Sequence, residues 1–182
     1  MQKNQENKEN LVQKQQNITT QRLVMLSLMV SLNVILSRFL SISTQEIKIG
    51  FSFIPVAIAA ITLGPIYGGI VGGLGDLVGA LLFPIGAYFP GFTLCAFLTG
   101  WIYGMILHKQ QSNKRIIIAV VVSEVICTLL INTLWLTILY GMPYGATLMV
   151  RSVQSSIMTI VEIVVIGALV KYVPFMKRVT IK

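Results

Sequence analysis

Residues 64–84 read GPIYGGIVGGLGDLVGALLFP, and this stretch shows what kind of fold the chain must have. From Ile66 to Phe83 a single charge, Asp76, interrupts eighteen residues that are otherwise apolar, aromatic or glycine. At ~1.5 Å per residue, a helix of that length covers about 27 Å, close to the hydrocarbon thickness of a bilayer. Gly64-Pro65 sets its start, because proline lacks the N–H that a helix running on from the preceding segment needs, and Pro84 follows its end. Small residues four apart, Gly68 with Gly72 and Gly75 with Gly79, let such a helix press closely on its neighbours. The same glycines imitate a dinucleotide fingerprint, but no strand precedes them and the segment is apolar, which excludes that reading. The stretch is a membrane helix.

Composition extends this reading to the whole chain. Of 182 residues, 55 % are hydrophobic and only 11 % charged, and the mean hydropathy is +0.80. Soluble domains carry charge at roughly a quarter of their positions, and a small domain has too much surface to cover with fewer. A cytosolic globular domain, a disordered chain and a coiled coil are excluded. Besides 66–83, apolar segments run over 23–40, 51–63, 92–107, 116–140 and 148–170. The fold expected is all-α and integral to the membrane, with six transmembrane helices. The second segment is short and holds Pro55, so it is expected to be a tilted or incomplete span. Breaks fall at Gly64-Pro65, between Pro84 and Gly91, at Gly141-Met142-Pro143 and at Pro174.

The formal charge of +8 invites a nucleic-acid reading, but the basic residues sit at the segment borders. Lys3, Lys8, Lys14 and Arg22 precede the first span, Lys109, Lys114 and Arg115 lie in one loop, and Lys171, Lys177, Arg178 and Lys182 follow the last. That is the positive-inside pattern of a protein in the cell membrane, and no nucleic acid is implied. With six spans, both termini and the 108–115 loop are expected in the cytoplasm, with 41–50, 84–91 and 141–147 outside. Residues 1–22 form a polar, Gln- and Asn-rich tail expected to be disordered and cytoplasmic. Residues 23–172 form the six-helix domain, and 173–182 a basic cytoplasmic tail. No cleavage site follows the first apolar run, so it reads as a retained helix.

Charges inside membrane helices cost several kcal/mol unless paired or hydrated, so each is a candidate. Arg38, at the outer end of the first span, reads either as snorkelling to lipid phosphates or as functional. Arg151 reads as functional, because Gln154 lies one turn deeper on its face; Glu162, deeper on the same stripe, suits a bond to another helix and a ligand contact equally. Asp76 needs a cation, a ligand donor or an interhelical hydrogen bond. The fifth segment carries Glu124, Thr128, Asn132 and Trp135, and Asn132 serves equally as helix glue or as a ligand contact. Tyr88, Phe89 and Phe92 flank one outer loop, and Tyr140 and Tyr144 another. Singly they are an interfacial aromatic belt. Together with Arg151, Gln154, Asn132 and Asp76 they suit an outward-facing pocket for a flat, polar-edged, anionic molecule.

Catalysis has no support in the pattern. The one histidine, His108, stands beside Lys109 in the basic loop, and no paired-carboxylate, Ser/His or metal-ligand spacing occurs. Cys95 and Cys127 match no metal or redox spacing and read as small hydrophobes. No enzyme, cofactor or metal is expected. Without a phosphate loop of the Walker type, the chain cannot drive transport with ATP alone.

Several stretches together resemble one family. These are LSRFLSI (36–42), KIGFSFIP (48–55), GPIYG (64–68), GDLVGALLFP (75–84), GAYFPGFT (86–93) and NTLWLTILYG (132–141). They resemble the folate-family substrate-capture subunit (S component) of energy-coupling-factor (ECF) transporters, over residues 23 to 172. The resemblance implies a six-helix S-component bundle in the lipid bilayer with a high-affinity vitamin pocket near the outer face. It implies a complex with a transmembrane coupling subunit and two cytoplasmic ATPases. Such subunits carry Ala-x-x-x-Ala on the first helix for docking, and Ser27 and Ser31 stand at the corresponding positions here. The implied ligand is folate, with thiamine or riboflavin as alternatives, because related subunits exchange vitamins on one scaffold. A solitary carrier is the remaining alternative. For folate, Trp135, Phe89, Phe92 and Tyr88 offer rings, Asp76, Asn132 and Gln154 the polar edge, and Arg151 and then Lys48 the cation for the tail.

Overall fold

The computed structural model describes residues 2–43, 48–141 and 143–172, with side chains described for 19–41 and from Gly50 on. Six helices follow one another among these residues: α1 (Gln2–Arg38), α2 (Phe53–Leu63), α3 (Pro65–Leu82), α4 (Pro90–Leu107), α5 (Asn113–Tyr140) and α6 (Tyr144–Tyr172). Two short strands, β1 (Ser41–Ser43) and β2 (Lys48–Gly50), separate α1 from α2. Five helices contain a stretch of at least 18 residues apolar enough to cross a membrane, the one in α1 being Thr19–Arg38. The expected all-α membrane fold with six helices is what the chain adopts.

The helix α2 has 11 residues, of which Phe53, Pro55, Val56, Ala57, Ala59, Ala60, Ile61 and Thr62 are buried. At ~1.5 Å per residue it covers about 16 Å, half a bilayer. A helix apolar and buried nearly all round belongs to a core, so α2 is an incomplete span wrapped by the others. Its end matches the sequence reading: Gly64 takes φ 104°, a conformation closed to most side chains, and Pro65 opens α3.

Helices α3 and α4 meet backbone to backbone. A Cβ on Gly68 would stand 2.6 Å from both the Gly100 carbonyl and the Ala60 Cβ, and one on Gly104 would run into Pro65. Small residues on both helices, Gly68 against Gly100 and Gly72 against Ala96, allow this approach where apolar lipid offers no hydrophobic drive. Around it lies an apolar core of Ala57, Ala60, Ile61, Val71, Tyr103, Leu107, Ile116, Ala119, Val120 and Ile166. The His108 ring closes the same end of the bundle, with Nδ1 2.9 Å from the Ile61 carbonyl oxygen. His108 is therefore a cap over the α2–α3 turn as well as a loop residue.

Three features differ from the sequence expectation. Residues 41–43 and 48–50, expected in a loop, pair as antiparallel strands, with Ser41 opposite Gly50 and Ile42 opposite Ile49. Gly50 is required there, since a Cβ would stand 2.6 Å from that of Ser41. The backbone of the polar N-terminal segment is helical from Gln2 and continuous with the rest of α1, where its composition suggested disorder; Gln, Lys and Glu are good helix formers. The long α5 is not uniform: residues Glu124–Ile131 are π-helical, between α-helical Asn113–Ser123 and Asn132–Tyr140. The 173–182 tail lies outside the described residues.

Candidate functional site

The π-helical segment supplies one wall of a cavity. Widening a helix by one residue per turn frees backbone carbonyls from their usual partners and shifts the facing side chains, which is why such segments gather at functional sites. Here the Thr128 carbonyl accepts a hydrogen bond from Arg151 Nη2 of α6 at 3.2 Å. Glu124, at the start of the segment, accepts one from Ser155 Oγ at 2.5 Å and one from Thr128 Oγ1 at 3.4 Å. Thus α5 and α6 are joined by polar bonds across the membrane interior.

The cavity has a volume of about 200 Å³ and lies in the half of the bundle that carries the hairpin. Its wall includes the carboxylates of Asp76, Glu124 and Glu162, the guanidinium of Arg151, and the amides of Asn33, Asn132 and Gln154. Phe53, Val56 and Met158 supply apolar surface. A buried charge needs partners to be tolerated in low dielectric. Glu162 accepts from Tyr103 Oη at 2.6 Å, Asp76 accepts from Thr93 Oγ1 at 2.8 Å, and Asn33 Nδ2 donates to the Ser52 carbonyl at 3.2 Å. The buried Oδ1 of Asn132 finds no hydrogen-bond partner among the described residues. An orphaned acceptor on a cavity wall is a place for a ligand donor or a water.

Four of the residues singled out in the sequence, Asp76, Asn132, Arg151 and Gln154, line this cavity together. Three others, Phe89, Phe92 and Trp135, form one ring cluster beside it, with Phe89 5.1 Å from Trp135 and 6.1 Å from Phe92 between centroids. Tyr88 touches the cavity wall indirectly, its hydroxyl 3.3 Å from Thr93 Oγ1, which donates to Asp76. Lys48 lies in β2, and its side chain lies outside the described ones. Ser27 and Ser31 are exposed on the outside of α1, each hydroxyl donating to the carbonyl four residues back at 2.9 Å.

Arg38 does not snorkel. Its side chain is 10 % exposed and turns back onto α3, with Nη2 3.9 Å from Asp76 Oδ1. Glu124 and Thr128 are visible in the sequence as polar residues of the fifth segment but do not stand out there as ligand contacts, and Glu162, on the Arg151 stripe, is open there to a helix contact or a ligand contact alike. The signal that finds Glu162 is the joint burial of α6 positions 151, 154, 155, 158 and 162, a helical stripe facing inward; Glu124 and Thr128 on α5 emerge only through their bonds to Ser155 and Arg151 of that stripe. Asn33, Ser37, Ser52 and Thr99 of the wall carry no such signal.

Residues 21–174 match the sequence profile of a family described as ECF transporter, substrate-specific component. The chain is 43 % identical over 145 residues to the folate transporter FolT of Clostridium novyi (strain NT), covering 79 % of this chain and 84 % of that protein. It is 28 % identical over 125 residues to the folate transporter FolT of Leuconostoc mesenteroides subsp. mesenteroides, covering 68 % and 67 %. Among solved structures it is similar to the crystal structure of FolT bound with folic acid, with a TM-score of 0.77, 33 % identity, and 81 % of this chain and 90 % of that one covered. The S component for biotin from an ECF-type ABC transporter shares the fold, with a TM-score of 0.65 at 21 % identity and 85 % and 93 % covered.

Proposed function

The chain belongs to the substrate-specific components of ECF transporters, and on that premise we propose that it binds folate in the cavity between α3, α5 and α6 and delivers it inward. It is a membrane transporter component rather than an enzyme. The observation that carries the folate reading is a polar cavity inside a bundle 33 % identical to one bound with folic acid.

The chemistry of the cavity suits the ligand. Folate has a flat pterin with a donor- and acceptor-bearing edge, and a glutamate tail with two carboxylates. Asp76, Asn132 and Gln154 offer the matched edge, and the Oδ1 of Asn132 awaits a donor. The cluster of Phe89, Phe92 and Trp135 beside the cavity offers ring faces, with Tyr88 at its margin. Arg151 is the cation of the wall, and Lys48 in the hairpin strand is the second. Charge-assisted hydrogen bonds of this kind are the strong ones.

Energy comes from outside the chain. We assign the exposed Ser27 and Ser31 of α1 to the docking of a transmembrane coupling subunit that carries two cytoplasmic ATPases. Two small residues one turn apart allow a partner helix to approach closely. Both termini are placed in the cytoplasm, with 23–172 as the binding domain, because the basic clusters border every inner end. Cysteines placed at Ser43 and Gly145 are then expected to label from outside intact cells and one at Ser112 to stay protected; outside labelling at Ser112 rejects this orientation.

The deciding experiment is isothermal titration of the detergent-purified protein with folate, thiamine, riboflavin and biotin. Folate binding far tighter than the others is expected. Preference for another vitamin overturns the folate reading, and uptake into vesicles without any ATPase would make the chain a solitary carrier.

A further inference from the structure

Arg38 closes α1 directly before two strongly exposed residues, Phe39 and Leu40. An arginine at such a place normally reaches outward to phosphate. Here the guanidinium lies inward across α3 and engages one residue twice. Its Nη2 is 3.9 Å from Asp76 Oδ1 and donates to the Asp76 backbone carbonyl at 3.5 Å. The path is open because Gly79, one turn on from Asp76, has no side chain; a Cβ there would stand 2.7 Å from Arg38 Nε. On its other side, Asp76 Oδ2 accepts from Thr93 of α4. The carboxylate is thereby held from α1 and from α4 while forming part of the cavity wall, with Arg38 standing behind it rather than on the wall.

We propose that Arg38 is a positioning residue for ligand binding: it fixes the Asp76 carboxylate at the cavity wall and neutralises it there. The proposal rests on the reading of the cavity as the vitamin site. A carboxylate has about four acceptor positions, so the hydrogen bond from Thr93 and the ion pair with Arg38 leave capacity for a ligand donor. The pairing also removes an uncompensated negative charge from the approach of an anionic vitamin. Because the tie runs through α1, the same contact links the outer end of that helix, and the hairpin that follows it, to the occupancy of the cavity.

The test is a double-mutant cycle read by titration calorimetry with folate and with bare pterin, on wild type, Arg38→Gln, Arg38→Lys, Asp76→Asn and the Arg38→Gln/Asp76→Asn pair. Losing a hydrogen bond to a charged group, about 1.5 kcal/mol, corresponds to a roughly 10-fold weakening in Arg38→Gln, expected for folate and pterin alike. Arg38→Lys should recover part of it. In the Asp76→Asn background the Arg38→Gln step should cost less than about 2-fold, since the residue it acts through is gone. A loss that persists in that background, or that falls on folate and spares pterin, would mean direct contact with the ligand and overturns the positioning role, as does unchanged affinity. If Arg38→Gln does not fold, Gly79→Ala displaces the guanidinium and keeps its charge; weakened binding is expected, and wild-type affinity rejects the proposal. Wild-type protein that ignores folate refutes the folate reading separately, and the cycle run with whichever vitamin does bind then tests Arg38 in the same way.

Discussion

Helices α3 and α4 meet through backbone, whereas α5 and α6 meet through polar side chains, and the two contacts divide the bundle by purpose. At the first, glycines bring carbonyls within reach of the facing helix, leaving space for nothing else. At the second, a π-helical segment spreads α5 so that Glu124 and the Thr128 carbonyl bond Ser155 and Arg151 around a cavity. In lipid, association depends on packing and hydrogen bonds rather than on hydrophobic drive. Close packing gives α3 and α4 their rigidity; polar bonding gives α5 and α6 an opening. Asp76 stands where the two meet, on the rigid helix with its carboxylate on the cavity wall.

The contrast should show most plainly at the rigid contact. In Gly100→Val the new side chain runs into the Gly68 carbonyl, and no flexible neighbour can yield. Overpacking a core costs about 1–3 kcal/mol even where side chains give way, so loss of monodisperse protein on size exclusion is expected. Gly167→Ala on α6, with open space around its Cβ, should elute and melt like wild type. Equal tolerance at both sites would show that α3 and α4 are not locked.

At the polar contact the effect should fall on binding instead of folding. Arg151→Ala removes a cation that is only 7 % exposed on the cavity wall. Losing one charge-assisted hydrogen bond costs about 1.5–3 kcal/mol, which corresponds to roughly 10- to 150-fold weaker folate binding. If Arg151 meets the glutamate tail, bare pterin loses much less; equal loss for both moves the residue to the pterin. Unfolding of the variant without any binding defect would return Arg151 to a purely structural tie between α5 and α6.

Glu124→Gln tests the other half of that contact. The amide keeps one acceptor oxygen, enough for Ser155 or Thr128 where the carboxylate serves both, and it loses the charge beside Arg151. Exchanging a charged for a neutral hydrogen bond should weaken folate by roughly 2- to 12-fold. Titration of the purified variant reads this directly, and wild-type affinity would leave the π-helical wall without a role in recognition.

The smallest effect on binding is expected on the outer face of α1, which belongs to neither contact. Ser27→Trp or Ser31→Trp adds bulk where both residues are exposed. Folate affinity of the isolated subunit should stay within about 2-fold, while uptake by the complete transporter in cells should fall to background. Lost affinity in the isolated protein would show instead that α1 shapes the cavity through this face.

The membrane class, the segment limits and the break at Gly64-Pro65 are legible in the sequence because they follow from local chemistry. Apolar length, charge at the borders and a missing proline N–H need no partner to be read. Helical spacing also ties Arg151 to Gln154, and these two line one cavity with Asp76 and Asn132, which the sequence marks only as polar residues in apolar helices. Phe89, Phe92 and Trp135, all named from the sequence, do cluster, but the cluster stands beside the cavity rather than in its wall. The rest depends on contacts between distant parts of the chain. The Tyr103–Glu162 bond joins residues 59 apart, the inward turn of Arg38 depends on a glycine of another helix, and the hairpin needs Gly50 against Ser41. The π-helical segment of α5 is not announced by its own residues, because what accompanies it is a contact from another helix, Arg151 taking up the Thr128 carbonyl.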